Sequence, residues 1–121
     1  MTTDRAGALR TAAPPTEFDT YQIVMLIRPE GRPEIDDETA DRLQSEHLGH
    51  LAAMKDAGHL KVAGPLDEQP DDSWRGICIY KVGSPHEARR LAELDPAVRA
   101  GRLTVHVMNW RTAKGALSFP E

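Results

Sequence analysis

The sequence predicts a single α+β domain, and three observations lead to this prediction. Residues 21–27 are apolar almost throughout, which is typical of a central strand covered on both faces. Two later segments, around residues 38–57 and 85–95, place their apolar residues at helical spacing. With the other strand-like segments, the order along the chain is strand, helix, strand, strand, helix, strand. This order is the ferredoxin-like βαββαβ arrangement with an antiparallel sheet.

The composition narrows the class of protein. The chain has 121 residues, 40% of them hydrophobic and 28% charged, which suits one soluble domain. No apolar run is long enough to span a membrane, and we expect a cytoplasmic protein. The formal net charge of −4 and the scattered Lys and Arg residues argue against nucleic acid as a partner. Cys78 is the only cysteine, so no internal disulfide can form, and its apolar neighbours predict a small core residue.

The two ends of the chain differ in composition from its centre. Residues 1–20 are rich in Ala, Thr, Pro and Arg without an apolar period, which predicts a flexible N-terminal extension. They also lack the apolar stretch of a secretory signal. We place the folded domain at residues 21–113 and a C-terminal tail at residues 114–121.

The first helix has recognisable ends. Asp36 or Asp37 is the expected N-cap, and the helix should run to about Ala57. Gly58 suits the left-handed residue that follows a helix. A short strand is then predicted over residues 60–63.

Capping residues also define the second helix. A strand over residues 74–82 precedes Ser84, Pro85 and Glu87, which form the pattern of a capping box with proline in the first turn. The helix should end near Asp95.

One further helical turn is predicted after that point. Asp95 followed by Pro96 has the form of an N-cap, and Gly101 would close the turn. The last strand is predicted over residues 103–110.

The predicted sheet has two apolar faces. We assign the following side chains to the face beneath the helices: Ile77, Ile79, Leu103, Val105 and Val107. The opposite face would then carry Cys78, Tyr80, His106, Met108 and Trp110. This face is too apolar and aromatic to lie against water, so the sequence predicts a homodimer that buries it against a second copy.

His47 lies at the centre of an apolar helical face. The other residues on the same arc are Ala40, Leu43, His50, Leu51 and Met54. One explanation is a core histidine bonded to a backbone carbonyl. The other is a proton-transfer group, because imidazole titrates near neutral pH.

The order and spacing of several short motifs resemble those of the YCII-related family over residues 21–111. The residues that carry the resemblance are His47-Leu48, Leu51, Gly58, Leu60, Ala63-Gly64-Pro65, Gly76, Asp95-Pro96 and Gly101. The resemblance implies a ferredoxin-like fold that pairs into a dimeric α/β barrel, and an enzyme that uses a His and an Asp. By this resemblance His47 and Asp95 are the catalytic pair, and Gly64 and Pro65 approach the substrate site. A turn that ends the strand explains Gly64 and Pro65 equally well. Helix capping alone explains Asp95 equally well.

We predict neither a metal nor a cofactor. Glu46, His47 and His50 do not have the His-Glu-x-x-His spacing of a zinc site, and no distant third ligand is evident. His50 should instead line the cavity edge, where it would contact substrate, or reach solvent. The acidic loop of residues 65–73 lacks the spacing of an EF-hand, and no nucleotide-binding glycine motif occurs.

These inferences predict a small cofactor-independent enzyme that uses the His47/Asp95 acid/base pair on a small cyclic or aromatic metabolite. Isomerisation, elimination or dehydrohalogenation would fit, and none of them requires a nucleophile. The alternative is a non-catalytic dimeric module that binds a small ligand or a partner protein, with His47 as a hydrogen-bond donor in its pocket. Fold class cannot choose between these functions.

Overall fold

The computed structural model describes residues 11–120 and contains four strands and three helices in that range. The strands are β1 (Phe18–Ile27), β2 (Leu60–Pro65), β3 (Trp74–Tyr80) and β4 (Thr104–Ala113). The helices are α1 (Asp37–Asp56), α2 (Pro85–Ala92) and α3 (Pro96–Arg99). The predicted ferredoxin-like α+β fold is confirmed, with α3 as the predicted extra turn.

The sheet is antiparallel throughout and has the strand order β2-β3-β1-β4. β1 is therefore a central strand, as its apolar sequence predicts. It pairs with β4 over its whole length, from Phe18 opposite Ala113 to Ile27 opposite Thr104. Both strands extend three residues beyond their predicted ends, because each continues to find a hydrogen-bonding partner in the other.

The extra residues of β1 fall inside the predicted N-terminal extension. Residues 18–20 belong to the strand, and residues 11–17 precede it without regular structure. The predicted flexibility of residues 1–10 concerns a segment outside the described residues. The domain limits at residues 21–113 and the tail at residues 114–121 remain predictions.

The helix ends follow the predicted capping chemistry. Oδ1 of Asp36 accepts a hydrogen bond of 2.8 Å from the backbone N–H of Thr39. At the other end, α1 is followed by its C-cap Ala57 and by Gly58, whose φ of 84° favours glycine. Oγ of Ser84 accepts a 3.1 Å bond from the backbone N–H of Glu87 in α2. Within residues 11–120, no helix is both long and apolar enough to cross a membrane.

The helices pack on one face of the sheet and form the core with it. The buried strand residues of this core are Val24, Leu26, Leu60, Cys78, Tyr80 and Val105. Ala88, Leu91 and Ala92 of α2 are buried against them. The predicted inward orientation of β4 through Val105 is confirmed.

The predicted orientation of β3 is wrong. Val24 pairs with Cys78 on one side and with Val107 on the other, which places Cys78 beneath the helices and Ile77 and Ile79 on the opposite face. Tyr80, only 1% exposed, also lies in the core. Alternation cannot orient a strand whose two faces are both apolar, because a shift of one residue exchanges them.

The opposite side of the sheet, here called the open face, is strongly apolar. Its apolar side chains are Tyr21, Ile23, Met25, Val62, Ile77, Ile79, Met108 and Trp110, and His106 lies on the same face opposite Met25. Val62, Met108 and Trp110 remain 45%, 43% and 37% exposed. A patch of this composition is typical of an interaction surface.

Gly76 allows the close approach of β2 and β3. A methyl group at this position would lie 3.0 Å from the carbonyl oxygen of Gly64 and 3.6 Å from Cδ1 of Leu26. A backbone oxygen cannot swing aside as a flexible side chain can. The absence of a side chain at Gly76 therefore lets the two strands pair without strain.

We expect Gly76→Ala to lower the free energy of unfolding by about 1–3 kcal/mol, the usual range for overpacking. Gly64→Ala is the matched control, because an added methyl there meets no atom within 4 Å. Urea denaturation of both variants measures the difference. Equal stability of the two variants would contradict the packing argument.

Candidate active site

His47 is the one buried side chain of α1 among the described residues, and it is 9% exposed. Leu51 and Met54 on the same arc pack against the core. The helical periodicity therefore correctly predicts an inward histidine.

One carboxylate oxygen of Asp95 contacts the imidazole of His47. Nδ1 of His47 lies 2.5 Å from Oδ2 of Asp95, although the two residues are 48 positions apart in the chain. The two elements meet because α1 packs against α3, whose N-cap is Asp95. The pairing in space is thus observed, while its catalytic role remains a prediction.

The second carboxylate oxygen of Asp95 caps α3. Oδ1 accepts a hydrogen bond of 2.9 Å from the backbone N–H of Ala97. Asp95 is 2% exposed, and a buried carboxylate is tolerated only when hydrogen bonds replace its hydration. Capping and histidine binding are therefore simultaneous functions of Asp95.

This arrangement assigns the proton on the imidazole. An ionised carboxylate can only accept hydrogen bonds, so we assign the hydrogen of neutral His47 to Nδ1, which donates to Asp95. Nε2 then carries the lone pair. A role of Nε2 in proton transfer requires that it reach a ligand in the neighbouring cavity, which His47 lines.

A cavity of about 660 Å³ lies between α1, the sheet and the loops around α3, and His47 lines it. Its apolar walls include Leu26, Leu43, Leu51, Ala63, Ala97 and Leu103. Asp95 does not line the cavity. The prediction that both members of the pair reach the cavity is therefore wrong for Asp95, which contacts the imidazole from the protein side.

Gly64 and Pro65 line the same cavity at the end of β2. Pro65 pairs with Gly76 of the adjacent strand, which lines the cavity as well. Their predicted contact with substrate stays a prediction, and their position is consistent with it.

His50 lies outside the cavity lining. Burial lowers the pKa of its imidazole; the charge of Asp95 opposes this effect, and nearby His47 adds to it. Nε2 of His50 is buried without a hydrogen-bond partner among the described residues. Its predicted contact with substrate remains a prediction that this position does not support.

Two other titratable groups near Asp95 remain neutral. Burial, and then the charge of Asp95, raises the pKa of the Cys78 thiol to about 12. Burial is also the main reason that the pKa of Tyr80 is raised. A thiol is a weak nucleophile, so Cys78 behaves as the predicted small core residue, 1% exposed.

Charged residues line part of the same cavity, and sequence reasoning missed them. They are Arg32, Asp41, Arg75 and Arg102. The arginines come from separate segments, and nothing in their local sequence indicates that they meet. Within residues 11–120, no group of three or more His, Cys, Asp and Glu side chains is arranged to hold a metal ion.

The comparisons with known proteins agree with this architecture. The model of the YCII-related domain matches residues 20–111. The chain belongs to the YCII-related family. No curated protein matches the chain.

A solved structure with a similar fold is the 5-chloro-2-hydroxyhydroquinone dehydrochlorinase of Burkholderia phenoliruptrix, in complex with 2,5-dihydroxybenzoquinone. Its TM-score to this YCII-related chain is 0.53 and its sequence identity is 21%. The alignment covers 74% of this chain and 92% of the dehydrochlorinase. At this identity the similarity shows a shared fold.

We expect His50→Leu to make the protein less sensitive to acid. Because the pKa of His50 is lowered in the folded state, the unfolded chain binds a proton more readily. The folded protein therefore keeps its full stability at a pH above 6.5, the ordinary pKa of histidine. Its stability falls as the pH drops through the lowered pKa of His50 in the folded state. Urea denaturation between about pH 7 and pH 5 should show a smaller loss of stability in the variant.

The control for this prediction is His86→Leu, at an exposed position of α2. This variant should keep the pH dependence of the unsubstituted protein. The argument fails if both variants lose stability equally on acidification.

Proposed function

We propose that this protein is a small cofactor-independent enzyme in which His47 is the general acid/base for a small cyclic or aromatic metabolite. The observation that carries the proposal is an imidazole held by a buried carboxylate at the wall of a ligand-sized cavity. Elimination, dehydrohalogenation and isomerisation fit this site, because each needs proton transfer and none needs a nucleophile.

In the first step, Nε2 of His47 removes a proton from an acidic O–H or C–H group of the substrate. The Asp95 carboxylate stabilises the imidazolium that forms and holds the ring in one orientation. Asp95 is thus a positioning residue, since it acts through His47. The cap bond to Ala97 fixes the carboxylate in turn.

Removal of the proton leaves an electron pair on the substrate, and this pair drives the next step. In a dehydrohalogenation it forms a new π bond, and the halide departs with the electrons of the carbon–halogen bond. In an isomerisation the imidazolium returns the proton to another carbon. The remaining proton on His47 is released to solvent after an elimination, which regenerates the base.

The cavity supports a ring-shaped substrate. Its volume of about 660 Å³ lies within the usual range for small-molecule sites, roughly 300–1,000 Å³. Leu26, Leu51 and Leu103 provide apolar surface for a ring and reduce the water around the reacting atoms. The similar dehydrochlorinase, whose structure holds a dihydroxybenzoquinone, also favours elimination on a hydroxylated ring.

We expect His47→Asn to lower turnover of a suitable halogenated or lactone substrate by about 10²-fold or more, because the general base is lost. Asp95→Asn should act in the same direction, because an amide stabilises the imidazolium less well. Steady-state kinetics on the purified variants measure both effects. His86→Asn, on the exposed surface of α2, should retain full activity.

Unchanged turnover in His47→Asn, with folding preserved, contradicts the acid/base assignment. That result favours the alternative, a binding module in which His47 donates a hydrogen bond to a ligand.

We also propose that a second copy of the chain covers the open face. Ile23, between Ile79 and Met108 in the sheet register, lies near the middle of this apolar surface. An isologous pair would bury the same patch on both subunits. The ferredoxin-like units would then form the dimeric α/β barrel that the sequence resemblance implies.

The substitution Met108→Asp should dissociate this dimer, because it buries a charge in the apolar interface. Leu94→Asp is a matched control: Leu94 is 42% exposed, close to the 43% of Met108, but lies after α2 and not on the open face. Multi-angle light scattering should give twice the chain mass for the control and the chain mass for Met108→Asp. A monomeric unsubstituted protein at micromolar concentration would contradict the proposal.

A further inference from the structure

Three arginine residues line the cavity that His47 also lines. Arg32 comes from the loop between β1 and α1, Arg75 from β3, and Arg102 from the turn after α3. We call these three residues the arginine cluster. Arg28 lies beside them in an adjoining groove that Arg32 and Arg102 also line.

The acidic side chains nearby do not neutralise this charge. Asp72 is shared, since it accepts a 2.5 Å bond from Arg28 and a 3.3 Å bond from Arg75. Arg102 donates to the backbone carbonyl of Pro33, which is a neutral acceptor. The guanidinium of Arg32 has no hydrogen-bond or ion-pair partner within residues 11–120.

Other carboxylates lie near the cluster without forming ion pairs with it among the described residues. Asp41 is the single acidic residue that lines the cavity in the described part of the chain. Glu30 and Glu34 line the adjoining groove, and neither forms an ion pair with the arginine cluster among the described residues. The lining of the cavity therefore includes three arginines and one carboxylate, in a chain whose formal net charge is −4.

The cluster repels itself in the absence of a ligand. Partial desolvation, followed by the like charges of Arg102, Arg28 and Arg75, lowers the pKa of Arg32. Arginine nevertheless stays protonated at neutral pH. Repulsion of this kind opposes folding, and an anion bound at the cluster would relieve it.

We propose that the arginine cluster binds a carboxylate group of the substrate while the apolar wall holds the ring within reach of His47. This inference rests on the proposed function of the cavity and narrows its substrates to small ring compounds that carry a carboxylate. The planar guanidinium fork matches the two oxygens of a carboxylate.

A singly charged carboxylate suits this position better than a phosphate dianion. The first turn of α1 carries Asp37 and Glu38, and the side chain of Asp36 already accepts a hydrogen bond from the backbone N–H of Thr39. This helix end therefore offers little to a phosphate, although helix N-termini commonly bind phosphates.

Direct binding measurements on the full chain test the inference without any turnover assay. Isothermal titration calorimetry with benzoate, an aromatic carboxylate, is compared with benzamide, its neutral counterpart. We expect benzoate to bind at least about tenfold more tightly, as one charge-assisted hydrogen bond would give. Rising salt should weaken benzoate binding alone.

Arg32→Gln is the decisive variant, because this guanidinium has no partner in the described chain whose loss could disturb the fold. It should weaken benzoate binding by about tenfold or more. Its melting temperature should stay the same or rise, since like-charge repulsion is reduced. The control Arg99→Gln removes an exposed arginine outside the cavity lining and should leave benzoate binding unchanged.

Three results would overturn the inference: equal affinity for benzoate and benzamide, equal affinity in Arg32→Gln and Arg99→Gln, or tighter binding of phenyl phosphate than of benzoate.

His47→Asn separates the inference from catalysis, since this variant should still bind benzoate. Turnover of neutral phenols without benzoate binding would refute the arginine site and leave the acid/base proposal standing. Benzoate binding that depends on Arg32, without turnover of any substrate, would support the arginine site and count against the acid/base proposal.

Discussion

The buried carboxylate of Asp95 is the constraint on which the site depends. A lone carboxylate at 2% exposure would be strongly unfavourable, and two hydrogen bonds make it tolerable. One bond comes from Ala97 in α3 and the other from His47 in α1. The same two bonds connect these helices. The orientation of the imidazole and the packing of α1 on α3 therefore depend on each other. Cys78 and Tyr80 lie near this charge, and burial raises the pKa of both, so they stay neutral beside it.

The cavity combines an imidazole for proton transfer with arginines for anion binding, and these groups come from different elements of the fold. The imidazole lies on a long regular helix and is held by a buried partner, which gives it a fixed position. The arginine cluster lies on loops and at a strand end, where guanidinium groups keep partial contact with water. A ring with an acidic proton and an anionic substituent would satisfy both parts of the cavity. Specific binding and proton transfer would then depend on different residues, which mutagenesis can separate.

Local sequence signals predicted the secondary structure well because each depends on neighbouring residues alone. Asp36, Ser84 and Asp95 cap helices through backbone groups two or three residues away, and Gly58 and Gly101 adopt positive φ at helix ends. The strand ends were less accurate, since the length of β1 depends on its pairing with β4. The orientation of β3 failed for a similar reason. Both of its faces are apolar, and only packing against the helices selected Cys78 and Tyr80 for the core.

The sequence by itself determined the order of elements, the family and the inward position of His47, because periodicity, capping and motif spacing are encoded locally. It indicated Asp95 as a cap or as a partner of His47 but could not show that one carboxylate does both. Only the tertiary structure decided this, by placing its two oxygens against different elements. The convergence of Arg32, Arg75 and Arg102 was also a tertiary outcome. No periodic sequence pattern predicts electrostatic interactions between distant segments, since these interactions depend on distances that only the folded chain defines.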